Sequence, residues 1–353
     1  KHGSGCYGHN GADDVVLDAA LVAKELNGTP IRLVWSREDE LSWSPLAPGM
    51  VTKIDANLTD NSMIESFDIS IKSPPHVKRP SGENGEYLLA AEHISNPLNP
   101  PNPIDTPLDK GGAADRNSMP LYDIPNIRIQ KQIVYDLPWR TSAMRGLGAF
   151  VNVYAIETLM DDIASMQGID PIEFRLKHLS DPRIIELIEK VMDISKWADS
   201  SSGLPKGFAF SRYKNSGAYC AMVVEINVDE SIELINAWAV IDAGEVVNAD
   251  GINNQIEGGI IQATSCTLIE EVNFDGEIIS ATDWENYPII KFKQTPKIQV
   301  ELIDRPDEPF LGVGEAAHGP TAAAISNALF AAMNIRVKQL PITRERIISS
   351  LNN

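Results

Sequence analysis

Residues 311–320 read Leu-Gly-Val-Gly-Glu-Ala-Ala-His-Gly-Pro and lead into an alanine-rich run that carries Ile325, Leu329 and Phe330 at helical spacing and reaches Met333. Glycines on the near side of Glu315 let backbone pass close to a neighbour, and Pro320 with Thr321 suits the first turn of an apolar helix. A carboxylate in such a loop can approach a bound ligand with little steric hindrance, which makes Glu315 the candidate for chemistry. The structural alternative is a carboxylate that complements the positive end of the helix or accepts loop amides.

Upstream of this loop, residues 207–213, 219–228 and 232–241 alternate or are β-branched, and they are predicted as strands. After Asn248-Ala249-Asp250-Gly251 a helix is predicted over 252–271, with Gln255, Gly258, Gly259 and Gln262 on adjoining turns near its start. Backbone there packs closely against a ligand or, in the plainer reading, against a strand. Further strands are expected near 277–280 and over 298–303, and a short helix from Thr343. The polar stretch 199–205 is the best boundary between two portions, 1–200 and 201–353.

In the first portion, Gly3, Gly5 and Gly8 form a GxGxxG before a helix predicted over 12–26. A dinucleotide-binding reading is weak here: no strand precedes the glycines, and the acidic residues 38–40 follow a strand predicted at 31–35 in the wrong context. A hairpin is predicted from 51–58 and 63–71, and a strand over 127–135. Between them, eight prolines over 74–107 define a Pro-rich arm (74–110) that cannot sit inside a sheet or helix and is expected at the surface or against a partner. Residues 139–148, Trp-Arg-Thr-Ser-Ala-Met-Arg-Gly-Leu-Gly, open a helix over 149–167. Arg145 beside Gly146 and Gly148 can offer a guanidinium and amides to an anionic or heteroaromatic group, or else pair with Asp161 or Asp162. Asp170-Pro171 caps another short helix through Arg175, and 184–194 is amphipathic.

The chain has 353 residues, 43% of them hydrophobic, so two domain-sized units with buried cores are possible. A net charge of −19 makes nucleic acid and anionic membrane surfaces poor partners. Cys6, Cys220 and Cys266 stand far apart without a CxxC, so a redox metal must bring its own ligands or sit on another chain, and no iron–sulfur cluster is expected here. No apolar run reaches about 18 residues and no targeting segment is present, which leaves the compartment open.

Five stretches in one order resemble the molybdopterin-binding subunit of the molybdenum hydroxylases, the xanthine dehydrogenase and aldehyde oxidase family. They are Gly-Cys-Tyr-Gly (5–8), Met-Arg-Gly-Leu-Gly (144–148), Asp-Pro-Ile-Glu-Phe-Arg (170–175), Asn-Gln-Ile-Glu-Gly-Gly (254–259) and Gly-Val-Gly-Glu (312–315). The likeness is greatest to the isoquinoline 1-oxidoreductase and nicotinate dehydrogenase type. The resemblance implies an α+β fold with mixed sheets covered by helices, and a molybdenum–molybdopterin cofactor, with or without an appended nucleotide, whose metal is held by the pterin dithiolene. It implies Glu315 as general base in hydroxylating a heteroaromatic or aldehyde carbon with oxygen from water. Gly5, Cys6, Tyr7, Gly8, Arg145, Gly146, Gln255, Val313 and Gly314 match cofactor contacts, and Tyr7 and Leu147 fall at substrate positions. It also implies an iron–sulfur subunit or other electron-transfer partner.

Two departures bear on these implications. Tyr7 stands where phenylalanine is commoner, and Leu147 cannot stack on a ring, so substrate identity does not carry over. No Gly-Gln-Gly cofactor loop is present, so this chain is expected to be an incomplete cradle, the later part of a longer subunit. The competing expectation is a non-catalytic assembly domain that keeps the fold.

Overall fold

A computed structural model describes residues 14–76, 87–98 and 101–351. The motif carrying Gly5, Cys6, Tyr7 and Gly8 lies outside the described residues. The β-prone runs build two sheets. Val51–Leu58 (β1) and Ile64–Ser73 (β2) form the expected antiparallel hairpin, with Val51 opposite Lys72 and Ser62 left-handed in the turn. Asn126–Ile133 (β3) then joins β2 in parallel.

Lys206–Arg212 (β4), Tyr219–Val228 (β5) and Ile232–Asp242 (β6) make an antiparallel meander, and Lys297–Ile303 (β7) pairs with β6 in parallel. The parallel pairing requires a crossover, and Ala249–Leu268 (α6) lies within it. β5 is apolar without a break over 219–224 because it is buried there on both faces. Cys220, Met222 and Val224 belong to one core with α6 and the C-terminal helix His318–Met333 (α7), while Ala221 and Val223 belong to a second core. That second core includes residues of Ala149–Gln167 (α3), Pro171–Leu176 (α4) and Pro182–Ile194 (α5). The result is the expected α+β arrangement of mixed sheets covered by helices.

The alanines of α7 have a mechanical reason. A Cβ on Gly207 of β4 would fall 2.1 Å from the Ala324 carbonyl oxygen and 2.2 Å from the Ala328 nitrogen, so strand and helix backbones touch. On the opposite side a Cβ on Gly319 would come 3.0 Å from Val153 of α3. A helix wedged between a strand and another helix at that distance can carry only small side chains where they meet.

Several expectations are corrected. Residues 31–35 pair with no strand among the described residues; Trp35 Nε1 donates to Asp18 of Asp14–Glu25 (α1) at 3.0 Å, and Ser36 caps Arg37–Trp43 (α2). A β-prone run with no ladder partner has no interstrand bonds to hold it as sheet, and the acidic residues 38–40 stand on a helix. Residues 277–280 form only an isolated bridge, Phe274 to Ile279. α6 begins at Ala249 and α7 at His318, each a few residues earlier than expected, and Arg344–Leu351 (α8) closes the chain.

The Pro-rich arm is only partly a surface feature. His76 and Asp105 of the arm are buried, as are Ala113, Ala114, Asp115 and Arg116 in the strap just past its end, and Lys131 of β3 bridges Asp105 and Asp115, each at 2.8 Å. Gly111 and Gly112, both left-handed, turn the chain into this strap.

Candidate functional site

Three segments fix the Glu315 loop. Leu311 N–H donates to Ala243 O at 2.7 Å and Ala218 N–H to Gly312 O at 3.1 Å, which pins the loop to the ends of β5 and β6. Arg145 Nε donates to Gly314 O at 2.8 Å, and the Gly146 amide donates to Glu315 Oε1 at 2.9 Å. The carboxylate is half-buried, and Gly312 has no atom within 4 Å of where a Cβ would stand, so the loop borders open space.

Gly146 reaches Glu315 because of its backbone. Its φ is +90°, and a Cβ would come 3.0 Å from His318 Cδ2, so the amide position depends on glycine. His318 is buried under it, hydrogen-bonded to the Gly259 backbone, and burial followed by the Arg145 charge pushes its imidazole down to about 3. A neutral ring therefore supports the turn.

Arg145 takes neither of the acidic partners considered from the sequence. Asp161 pairs with Arg175 and Asp162 with Arg336, because those carboxylates face other elements. The Arg145 guanidinium instead reaches α6, donating to Gln255 O at 2.8 Å and Gln262 Oε1 at 3.3 Å. It thus braces the Glu315 loop against the start of α6, close to Gly258 and Gly259. The structure brings together Glu315, Gly314, Arg145, Gly146 and Gln255. Val313 packs half-buried against the α7 core, and Leu147, half-buried with φ +49°, follows Gly146 directly.

Sequence reading missed Tyr213, Lys214 and Arg116. Tyr213 directly follows β4 and is buried near Glu315: burial, then the Glu315 carboxylate, push its phenol well above the usual tyrosine range, against the opposing pull of Arg116. Arg116 Nη1 donates to the Tyr213 hydroxyl at 2.6 Å. Lys214, exposed and left-handed, has its ammonium pushed down by burial and by Arg116, while Glu315 pulls it up. The signal available in the sequence was the turn-forming run Asn215-Ser216-Gly217 just after a strand; that Lys214 and Asn215 are left-handed shows only in the structure.

The described residues contain no group of three His, Cys, Asp or Glu side chains able to hold a metal ion. They do fit a cofactor that brings its own metal ligands: backbone laid bare beside open space at Gly312, a partly exposed carboxylate, and the Gln255 and Gln262 amides.

Residues 143–296 match the family model of the molybdopterin cofactor-binding domain. A nicotinate dehydrogenase subunit of Pseudomonas putida is 35% identical over 99% of this chain. The chain is thus similar to the molybdopterin-binding subunits of the xanthine dehydrogenase family, and it carries their cofactor-binding domain over residues 143–296. The beta subunit of isoquinoline 1-oxidoreductase of Brevundimonas diminuta is 28% identical over 96% of the chain. The chain spans 30% and 41% of the lengths of these two relatives. The fold of this molybdopterin-binding chain also matches the aldehyde oxidoreductase of Desulfovibrio gigas, with a TM-score of 0.75 at 15% identity, over 99% of this chain and 54% of that one.

Proposed function

We propose that this chain is the molybdopterin-binding part of an oxidoreductase that hydroxylates a small N-heteroaromatic or aldehyde substrate with oxygen from water, and that Glu315 is its general base. The observation that carries the reading is the Glu315 carboxylate, half-buried at the edge of open space with Oε1 held by the Gly146 amide. The bound molybdenum–molybdopterin group supplies two-electron redox chemistry. Gly146, Gln255, Val313 and Gly314 would hold that group from this chain, together with the Gly5–Gly8 motif.

The protein's own part is proton management. A carboxylate has about four lone-pair sites, so Glu315 can keep the Gly146 bond at Oε1 and accept at Oε2 the proton released as a water-derived oxygen is transferred. Arg145 keeps its charge at every working pH and holds Gly314, fixing where that oxygen atom stands. Leu147 would offer a substrate an aliphatic surface with no ring to stack on. Electrons would leave through an iron–sulfur partner; the named relatives are themselves subunits.

Glu315→Gln in the assembled enzyme tests the assignment. Turnover is expected to fall by at least about 100-fold, within the usual contribution of a general base, with bound molybdenum unchanged. Parent-like turnover would refute the base and leave a scaffold role.

A further inference from the structure

The polarity of α1 is reversed with respect to the rest of the chain. Val15, Val16, Ala19, Ala20, Val22 and Ala23 repeat at i, i+4, i+7 twice over and form an uninterrupted apolar arc of about 160° at 3.6 residues per turn. An arc of that width ordinarily faces a core. Here the charged side does. Asp14, fully buried, accepts from Arg140 Nη1 and Nη2 at 3.1 and 2.8 Å and from the Leu89 N–H at 2.6 Å, and Asp18 accepts from the Trp35 indole at 3.0 Å. Arg140 also donates to the Tyr87 carbonyl at 3.3 Å and the Trp43 carbonyl at 2.5 Å, so one guanidinium fixes the orientation of the helix. Asp14 is the only buried residue of α1. The apolar arc is left toward solvent, with Val16 63% and Val22 40% exposed, Ala20 and Ala23 exposed, and Val15 and Ala19 half-buried.

Resting on the reading of this chain as part of a molybdopterin enzyme, we propose that this arc seats a further portion of the molybdopterin-binding subunit. The Pseudomonas putida relative aligns along 99% of this chain while the chain spans 30% of its length, and the Brevundimonas diminuta relative aligns along 96% while the chain spans 41%. In both, more polypeptide lies outside the aligned region than within it, and an exposed apolar face is where such polypeptide packs. Three of the six positions are alanine, so the occupant supplies the bulk: a helix or strand with side chains the size of leucine, isoleucine or phenylalanine, seated close to the α1 backbone. A second copy of α1 would bring the same small side chains and leave the gap unfilled. An anionic lipid surface is repelled by the net charge of −19 and by Glu38, Asp39 and Glu40 in the first turn of α2.

The test places p-benzoylphenylalanine at position 16 of the assembled enzyme and maps the product of irradiation by mass spectrometry. The expected adduct joins residue 16 to a peptide of the molybdopterin-binding subunit outside residues 1–353. Position 25, exposed on the opposite side of the helix, is expected to give none of it. Ala20→Arg puts an unpaired charge into the seat and is expected to lower the yield of the adduct from position 16 by at least about tenfold, with far-UV circular dichroism unchanged. An adduct within residues 1–353, in the same chain or in a second copy, overturns the proposal, and so does an adduct to an iron–sulfur partner. No adduct from position 16, or equal yields from positions 16 and 25, overturns it as well. The cross-link is read without turnover, so failure of the base assignment in Glu315→Gln leaves the adduct in place and the two readings fail separately.

Discussion

Glu315 could be singled out because its signal is local: a carboxylate between glycines and a helix start. The atom that holds it is not local, since the Gly146 amide lies 169 residues away in sequence. Arg145 shows the same limit. Its neighbours in sequence suggested an acidic partner on the following helix, but the chain turns at Gly146 and sends the guanidinium to the Gly314 and Gln255 carbonyls. Gly146→Ala is therefore expected to do two things. The positive φ and the 3.0 Å approach to His318 should cost about 1–3 kcal/mol of stability, read as a lower urea midpoint. The displaced amide should also lower turnover. Gly168→Ala, at φ +65° with open space around it, is the comparison: it should show a strain cost near 1 kcal/mol and parent-like turnover. Equal turnover in the two variants would count against the Gly146 contact.

At the scale of elements, helices and paired strands were legible from their periods. The Asp170-Pro171 cap forms as read, with Asp170 accepting from Ile172 and Glu173 amides at 2.8 and 3.1 Å. Runs 31–35 and 277–280 failed because a strand is a partnership, and composition does not reveal whether a partner exists. What α4 is for could not be read from its sequence either. Arg175 is fully buried, bridging Glu157 at 3.0 Å and Asp161 at 2.6 Å on α3, while Tyr122 donates to Glu157 at 2.6 Å. Burial pushes both carboxyls upward against the pull of Arg175, so the cluster fixes how α4 docks on α3 more than it contributes net stability. Arg175→Met leaves two buried acids without their cation and should cost about 3–5 kcal/mol. A urea midpoint within error of the parent would show that the acids find other partners or take up protons at little cost.

Across the whole molecule, α7 is the element that joins strand, site and neighbouring helix, and its alanine run announced close packing without saying against what. The same tight interior sets how stability responds to acid. His76 lies beneath the strap near Arg116 and Lys131, and His318 beneath Gly146 near Arg145; burial first, then those cations, pushes each imidazole down to about 3. An unfolded chain restores them to about 6.5, so between these values the unfolded state binds more protons and stability rises with pH. Their contribution is complete above about pH 6.5 and is lost progressively as pH falls toward 3, amounting to roughly 2 kcal/mol per histidine between pH 6.5 and 5. Glu157 and Asp161, raised by burial, act in the opposite sense, so the clean observable is a difference between variants. Urea midpoints at pH 7.5 and pH 5 should lie closer together in His76→Gln and in His318→Gln than in the parent, whatever each substitution costs at pH 7.5. If the gap between the two midpoints keeps its parent size, the buried rings are taking up protons in the folded state, and the cations beside them do not keep them neutral.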